Sequence, residues 1–544
     1  MADEKPEKVI LPDKYYHTYF CDLLRFVQKY SGHLLDAPDH SFLVTFGTLS
    51  EAAQCTFIRM CNRKGIYFRP SKFAYSEIDD IPAAFKALKA FQFIKEDLDE
   101  DPAIISLFTK AELIKAFPDL ELKALKKDEI YNILLEEPYA KKLQDFDPIV
   151  QLERQDQVEF LKMLYFGSYG KPMTEFVVRD VGHVQLEDLD ETKFTAAFES
   201  REEALAVFEI SQLSRAVYVG LEMIGGIGVH EALLEIDWER LCKHDRAQRV
   251  ANRIFENLGM QLEREKLPEE AMFYYERSTK HPARERLIRL MDHQGETEKA
   301  VKLAEHIQED YWNASERLFA KDFLNRPNIR INRSTSRKLS EATSIEFEHD
   351  PVQHVEDQSL AYFARQGFEG VHGENYIWRN LFGLMLWEEL FNQDLGKFHN
   401  PLQRRSADLY DNTFFKNHKD HLDQKRASLS TSQKWLKQVN KTFTEKYGKA
   451  NSFVYWYDEM MVPVEKLISS IKVSALWDIL FEIAKNPKDN SAGFPDLLIW
   501  NEKEYRLCEI KSPNDHLSAQ QLFWLDFMQE RGINAEIVRV KYIF

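Results

Sequence analysis

Cysteine is scarce in this chain of 544 residues. Its five cysteines, Cys21, Cys55, Cys61, Cys242 and Cys508, lie far apart with no CxxC or CxxH spacing. That excludes a disulfide-stapled scaffold, fits a reducing cytoplasm and argues against a structural zinc site. Basic charge is not in excess either: 72 Lys and Arg stand against 89 Asp and Glu, a formal net charge of −17. A surface coated in positive charge is excluded, but a nucleic-acid ligand is not, because binding depends on where bases cluster. No apolar run approaches the roughly 20 residues that cross a bilayer. The first residues, MADEKPEKVILPDKYY, lack the basic-then-apolar layout of a signal peptide. The expectation is a cytoplasmic protein with neither a membrane nor a nucleotide cofactor as partner.

What is present, 44% apolar and 30% charged residues, suffices for several globular domains, each with its own core. The most informative stretch is residues 493–511, GFPDLLIWNEKEYRLCEIK. Asp496 precedes the apolar run Leu497-Leu498-Ile499-Trp500, Asn501 to Glu504 are polar and turn-prone, and residues 505–511 resume an alternating pattern. This predicts a β-hairpin. With residues 501–504 as the loop, Trp500 faces Tyr505 and Asp496 lies opposite Glu509, with Cβ atoms roughly 4.5–5.5 Å apart. Period two puts Lys511 on the face of Glu509 and turns Cys508 and Ile510 to the other. Opposed like charges destabilise a sheet. A hard divalent cation such as Mg2+ or Mn2+ offsets that repulsion, and the lysine can then orient water or stabilise charge on a phosphate. Spacing alone fits a salt-bridged surface hairpin equally well.

Basic residues gather elsewhere. Residues 414–449 hold nine Lys or Arg, among them Lys416, Lys419, Lys425 and Arg426, against three acids. Residues 323–339 hold Arg326, Arg330, Arg333, Arg337 and Lys338 with no acid. The first is a solvated helix face or a DNA contact; the second, aperiodic and rich in Asn and Ser, favours a phosphate-contacting loop. Near the N-terminus, helical spacing over residues 15–30 and 41–61 is followed by the strand-like Ile66 to Arg69. Such a winged-helix-like unit would meet DNA through Arg59, Arg63, Lys64 and Arg69, unless these are ordinary surface charge. Residues 101–136 show a Thr109 N-cap, a break at Pro118 and a second helix from near Lys123. Residues 240–308 read as helical pairs, with Tyr274 and Tyr275 as inter-helix core.

Pro495-Asp496 with Glu509-Ile510-Lys511 matches the PD-(D/E)xK nuclease signature. GFPDLLIW, EIKSPND and LSAQQLFWL resemble the VRR-NUC variety of that superfamily, and FGSYGKPMTEFVVRDVG and VHGENYIWRNLFGLMLWEELF resemble stretches of the Fanconi-associated nuclease family. The resemblance runs from about residue 40 to the C-terminus. It implies a bacterial-type member lacking the ubiquitin-binding zinc finger of vertebrate members. The two short helices of residues 101–136 resemble a SAP module, a DNA-backbone binder, with Lys123, Lys126 and Lys127 at the second helix, where backbone amides also favour phosphate.

The implied fold is multidomain and mainly α, with a C-terminal α/β restriction-endonuclease-like nuclease domain. The expected parts are a winged-helix-like DNA-binding part (1–100), a SAP-like module (101–140), a helical continuation (141–235), a tetratricopeptide-like region (236–342) and the VRR-NUC domain (343–544). The resemblance implies one or two Mg2+ or Mn2+ ions held by Glu374, Asp496 and Glu509, with the Ile510 carbonyl as a further ligand. Lys511 would help activate water, and Gln521, with Gln520 as rival, would hold water or phosphate nearby. Glu374 could instead simply cap its helix, and Glu388 and Glu389 are chemical alternatives; His372 and His516 are not expected as ligands. Flapped or branched DNA is the implied substrate, cut by a 5′-flap endonuclease and 5′–3′ exonuclease in DNA repair, including interstrand-crosslink repair. The alternatives are a Holliday-junction resolvase or nickase on the same fold and a non-catalytic DNA-binding scaffold.

Overall fold

The computed structural model describes residues 11–182, 184–326, 334–409 and 412–543. The chain forms two compact units: Met1–His183 with Thr195–Phe208, and Val184–Phe194 with Glu209–Phe544.

In the first unit, helices Tyr15–Ser31, Ala37–Thr48 and Glu51–Cys61 close on the buried rings of Phe20, Phe42, Phe46 and Phe57. Asp36 and Ser50 cap the second and third. A three-stranded antiparallel sheet follows: β1 (Tyr67–Phe68), β2 (Ile94–Lys95) and β3 (Val150–Leu152), in the order β1-β3-β2. Helices Pro102–Ser106, Lys110–Ala116, Lys127–Leu134 and Tyr139–Phe146 lie between β2 and β3 and share a core of Ile104, Phe108, Leu113, Leu122, Ile130 and Leu143. The chain thus leaves its first sheet, builds a helical module and returns to complete the sheet. Helix 127–134 starts four residues later than its spacing predicts. Leu122 is buried and the Leu125 N–H bonds to its carbonyl, so residues 120–125 form a tight turn. Arg69 is 6% exposed and ion-pairs with Glu112 and Asp147, so it holds this module to the sheet rather than facing outward. Arg179 pairs with Asp180, the local salt bridge that its sequence neighbours allow.

In the second unit, helices Asp245–Arg264, Pro268–Tyr275, Ala283–His293, Thr297–Glu309 and Ala314–Asn325 pack through small and aromatic residues. Tyr274 and Tyr275 are 1% exposed, and a Cβ on Gly259 would stand 2.7 Å from the Tyr275 ring. Helix Arg201–Met223 is long and apolar enough to cross a membrane by length and composition alone, which corrects the expectation that no run qualifies. It carries Glu209, Arg215 and Glu222, and Glu209 pairs with Arg240 at 3.0 Å.

The C-terminal sheet contains β4 (Thr343–Glu348), β5 (Glu369–His372), β6 (Leu497–Trp500), β7 (Tyr505–Lys511) and β8 (Ala535–Ile543), in the order β4-β8-β7-β6-β5. β8 runs parallel to β4 and β7; β6 runs antiparallel to β5 and β7. Leu497, Ile499, Cys508 and Ile510 face one apolar cluster with Phe363. Leu498, Leu507 and Ile537 face the larger core, with Trp378, Trp477 and Trp524. This alternation sends Glu509 and Lys511, spaced by two from Leu507, toward helices Glu374–Met385 and Ala519–Glu530.

Candidate active site

Trp500 pairs with Tyr505 and Leu497 with Cys508, the hairpin register that the sequence predicts. Asp496 lies one residue before β6, and its Oδ2 accepts a 2.8 Å hydrogen bond from the Ile510 N–H. Its main-chain carbonyl accepts from the N–H groups of both Gly373 and Glu374, each at 3.0 Å. Glu374 opens helix Glu374–Met385 with φ +41°, so the backbone that carries Asp496 pins the strained residue that begins the next element. Asn375 completes the link. Its Nδ2 donates to Glu374 Oε1 at 3.1 Å, and its Oδ1 accepts from the Phe494 N–H at 3.2 Å.

Glu509 is 1% exposed. Its Oε1 accepts from Lys511 Nζ at 2.8 Å and from Gln521 Nε2 at 2.5 Å. Its buried Oε2 has no hydrogen-bond partner among the described residues. Gln521 is fixed by a capping box: its N–H donates to Ser518 Oγ and its Oε1 accepts from the Ser518 N–H. Gln520 points away, its Nε2 facing Asn490 Oδ1 at 3.5 Å. Glu389 is buried and ion-paired with Lys425 at 2.7 Å, whereas Glu388 is exposed.

Burial pushes the Asp496 carboxyl up to about 6, against the opposing Ile510 N–H and Lys511 charge. Burial, and then the Asp496 charge, push Glu509 up to about 8, despite Lys511. Both shifts mark a buried anionic centre short of positive charge. Among the described residues no three His, Cys, Asp or Glu side chains form a ready-made metal cluster. Asp496, Glu509 with its orphan oxygen and the backbone-tethered Glu374 are nevertheless hard oxygen donors that suit a divalent cation.

The structure brings Glu374, Asp496, Glu509, Ile510, Lys511 and Gln521 together. Asn375, whose sequence offers no signal beyond its place next to Glu374, joins them. The basic residues divide. Lys123, Lys126, Lys127, Arg63, Lys416, Lys419 and Arg426 are exposed, although Lys419 pairs with Asp423 and Arg426 with Asp478. Arg59 binds Glu77 and lies over Tyr16, Arg326 forms a two-pronged pair with Asp292, and Lys425 is drawn inward by Glu389. These three are already engaged within the fold. Arg330 and Arg333 lie outside the described residues.

Two family models match the chain: "FAN1, HTH domain" over residues 14–95 and "VRR-NUC domain" over residues 430–542. The Fanconi-associated nuclease 1 homolog of Pseudomonas aeruginosa is 25% identical, over 98% of this chain and 97% of its own length. The Arabidopsis thaliana homolog is 24% identical, over 97% of this chain and 67% of its own. Human Fanconi-associated nuclease 1 is 30% identical over 34% of this chain and 19% of its own length. Among solved structures, paFAN1 bound to 2-nt 5′ flap DNA with a gap shares the fold with a TM-score of 0.83 at 24% identity, covering 98% of this chain and all of that one.

Proposed function

From its match to the FAN1 HTH and VRR-NUC family models and its likeness along 98% of its length to a Fanconi-associated nuclease 1 homolog, we propose that the chain is a Fanconi-associated nuclease, a structure-selective DNA phosphodiesterase that incises 5′ flaps and digests from 5′ ends in DNA repair, interstrand-crosslink repair included. The observation that carries this reading is the convergence of Asp496, Glu509 and Lys511 on one hairpin face, with Glu374 hydrogen-bonded to the Asp496 carbonyl.

Glu374, Asp496 and Glu509 would hold one or two Mg2+ or Mn2+ ions, with the Ile510 carbonyl as a further donor. When bound, the ion supplies Lewis-acid stabilisation of charge on the phosphate and on the leaving oxygen. Lys511, whose Nζ lies 2.8 Å from Glu509 Oε1, would orient the attacking water and stabilise negative charge developing on the phosphate. Gln521 keeps the Glu509 carboxylate in one rotamer. Lys123, Lys126, Lys127, Arg63, Lys416, Lys419 and Arg426 supply cations for the phosphate backbone, and Arg59, Arg326 and Lys425 support the elements around them. The preferred partner is flapped or branched DNA.

The test is cleavage of an end-labelled 5′-flap duplex with Mg2+ or Mn2+, beside an EDTA control and Asp496→Ala. The expected outcome is metal-dependent incision near the branch, reduced in Asp496→Ala to the EDTA background, with DNA binding retained. Tight binding without incision of any flap or four-way junction would make the chain a scaffold; symmetric incision of four-way junctions alone would make it a resolvase.

A further inference from the structure

Helix Glu374–Met385 does more than deliver Glu374. Tyr376, Asn380 and Gly383 lie at i, i+4 and i+7, along one stripe of the helix, and the irregular loop 451–457 is clamped onto that stripe. The Asn380 side chain is fully buried, and its Oδ1 accepts from the Tyr455 N–H at 2.8 Å. Arg379 Nη2 donates to the Ser452 carbonyl at 2.8 Å. Asn451 Oδ1 accepts from the Phe453 N–H, and the Phe453 and Phe382 rings meet edge-on at 4.7 Å. The backbones approach so closely that a Cβ on Gly383 would stand 2.5 Å from Val454 Cγ2. A loop held at so many points has one conformation, and it presents an aromatic ring to solvent.

That ring is Tyr455, 61% exposed beside Tyr376, which is 46% exposed, with centroids 5.4 Å apart; Tyr457 continues the row at 6.0 Å. A large exposed aromatic loses its apolar area to water with nothing gained in the free protein. The Arg379 guanidinium sits beneath the same loop, and no carboxylate pairs with it among the described residues. Flat aromatic faces beside an unneutralised cation, in the first turns of the helix that begins with Glu374, match one ligand chemistry: unpaired bases on an anionic backbone.

Resting on the nuclease reading above, we propose that Tyr376 and Tyr455, with Arg379, form a stacking platform for the unpaired bases of the flap strand next to the cleavage centre. Stacking is indifferent to base identity, so the platform reads single-strandedness rather than sequence.

Fluorescence anisotropy in EDTA tests this without incision, using a 5′-flap duplex with a thymidine flap and a matched duplex whose flap nucleotides are abasic. Tyr376→Ala and Tyr455→Ala should each weaken binding of the thymidine flap roughly tenfold and leave binding of the abasic flap near the wild-type value, whereas Tyr455→Phe should bind both as the wild type does. In a second arm, 2-aminopurine in the flap should lose fluorescence on binding the wild-type protein. Equal losses on both flaps, no loss on either, or an unquenched 2-aminopurine would overturn the platform. Neither arm needs cleavage, so absence of nuclease activity would refute the function and leave a base-dependent binding result standing. An active nuclease that binds both flaps alike in every variant would refute the platform alone.

Discussion

At the scale of single residues, the centre sets a buried carboxyl, Glu509, and a half-buried one, Asp496, against a single lysine, Lys511. Asp496 and Glu509 are raised to about 6 and about 8, so between pH 5 and 8 the metal-free folded chain binds more protons at these sites than the unfolded chain does. Folding stability contributed by the site therefore falls as pH rises through that window. Thermal melts in EDTA at pH 5.5 and 8.0 should show wild type losing stability relative to Glu509→Gln, by an amount on the order of a few kcal/mol. Added Mn2+ should reverse the loss, most strongly at the higher pH, because the ion competes with protons. A wild-type-minus-variant difference that does not change with pH would remove the charge deficit from the account. Asn375 is the second residue-scale case. It ties Glu374 to the Phe494 N–H, so Asn375→Ala should weaken Mn2+ binding, measured by calorimetry, about tenfold with little change in melting temperature. Wild-type affinity in that variant would reduce Asn375 to a loop contact. The hairpin acids and Lys511 were readable in the sequence because strand periodicity is two and the loop length sets the register. Asn375 was not, because its role depends on a partner 119 positions away.

At the scale of elements, the hairpin and the helix after it form one device whose joint is Gly493. Its φ of +86° already favours glycine. A Cβ there would also lie 2.7 Å from Gln520 Cγ and 3.1 Å from the Gln520 carbonyl carbon, next to the glutamine that holds Glu509. Gly493→Ala should therefore cost about 1–3 kcal/mol in stability and also lower the cleavage rate by shifting Gln521. Gly532 provides the control, since its φ is +69° but nothing lies within 4 Å of an added Cβ. Gly532→Ala should lose stability while keeping its rate. Equal rates in the two variants would mean that the helix position is not transmitted to Glu509. Elements defined by local pattern, such as the Thr109 cap and β6–β7, are legible in the sequence. β3 is not: a three-residue strand far from its partners carries no periodic signal. The start of helix Lys127–Leu134 carries no local mark either, because burial of Leu122 outweighs the helix propensity of the lysines around it.

At the scale of the whole chain, the second unit is assembled from distant segments. Residues 184–194 read in sequence as a continuation of the N-terminal helices, yet they lie against the nuclease domain. Glu187 is the anchor: its carboxylate accepts from Trp387 Nε1 at 2.8 Å, Lys446 at 3.0 Å and Lys449 at 2.9 Å, and the Ala450 N–H bonds to the Gln185 carbonyl at 2.7 Å. No local pattern announces contacts across 200 to 262 positions. Burial alone would raise the Glu187 carboxyl, but the Lys449, Trp387 and Lys446 donors outweigh it and hold the group below its ordinary value. A lowered carboxyl contributes stability that is fully present above its unfolded value of about 4.3 and is lost as pH falls through the folded one. Glu187→Ala should thus destabilise the second unit by about 2 kcal/mol or more at pH 7, and by progressively less as denaturation is repeated toward pH 3. A nuclease fragment beginning at residue 343 lacks the segment altogether, together with Leu318, Leu339 and Ala342 that pack on the same core, and should show at least that deficit at neutral pH. If the fragment and the Glu187→Ala chain instead match the intact protein across that range, residues 184–194 only rest on the domain, and the three donors are satisfied by water.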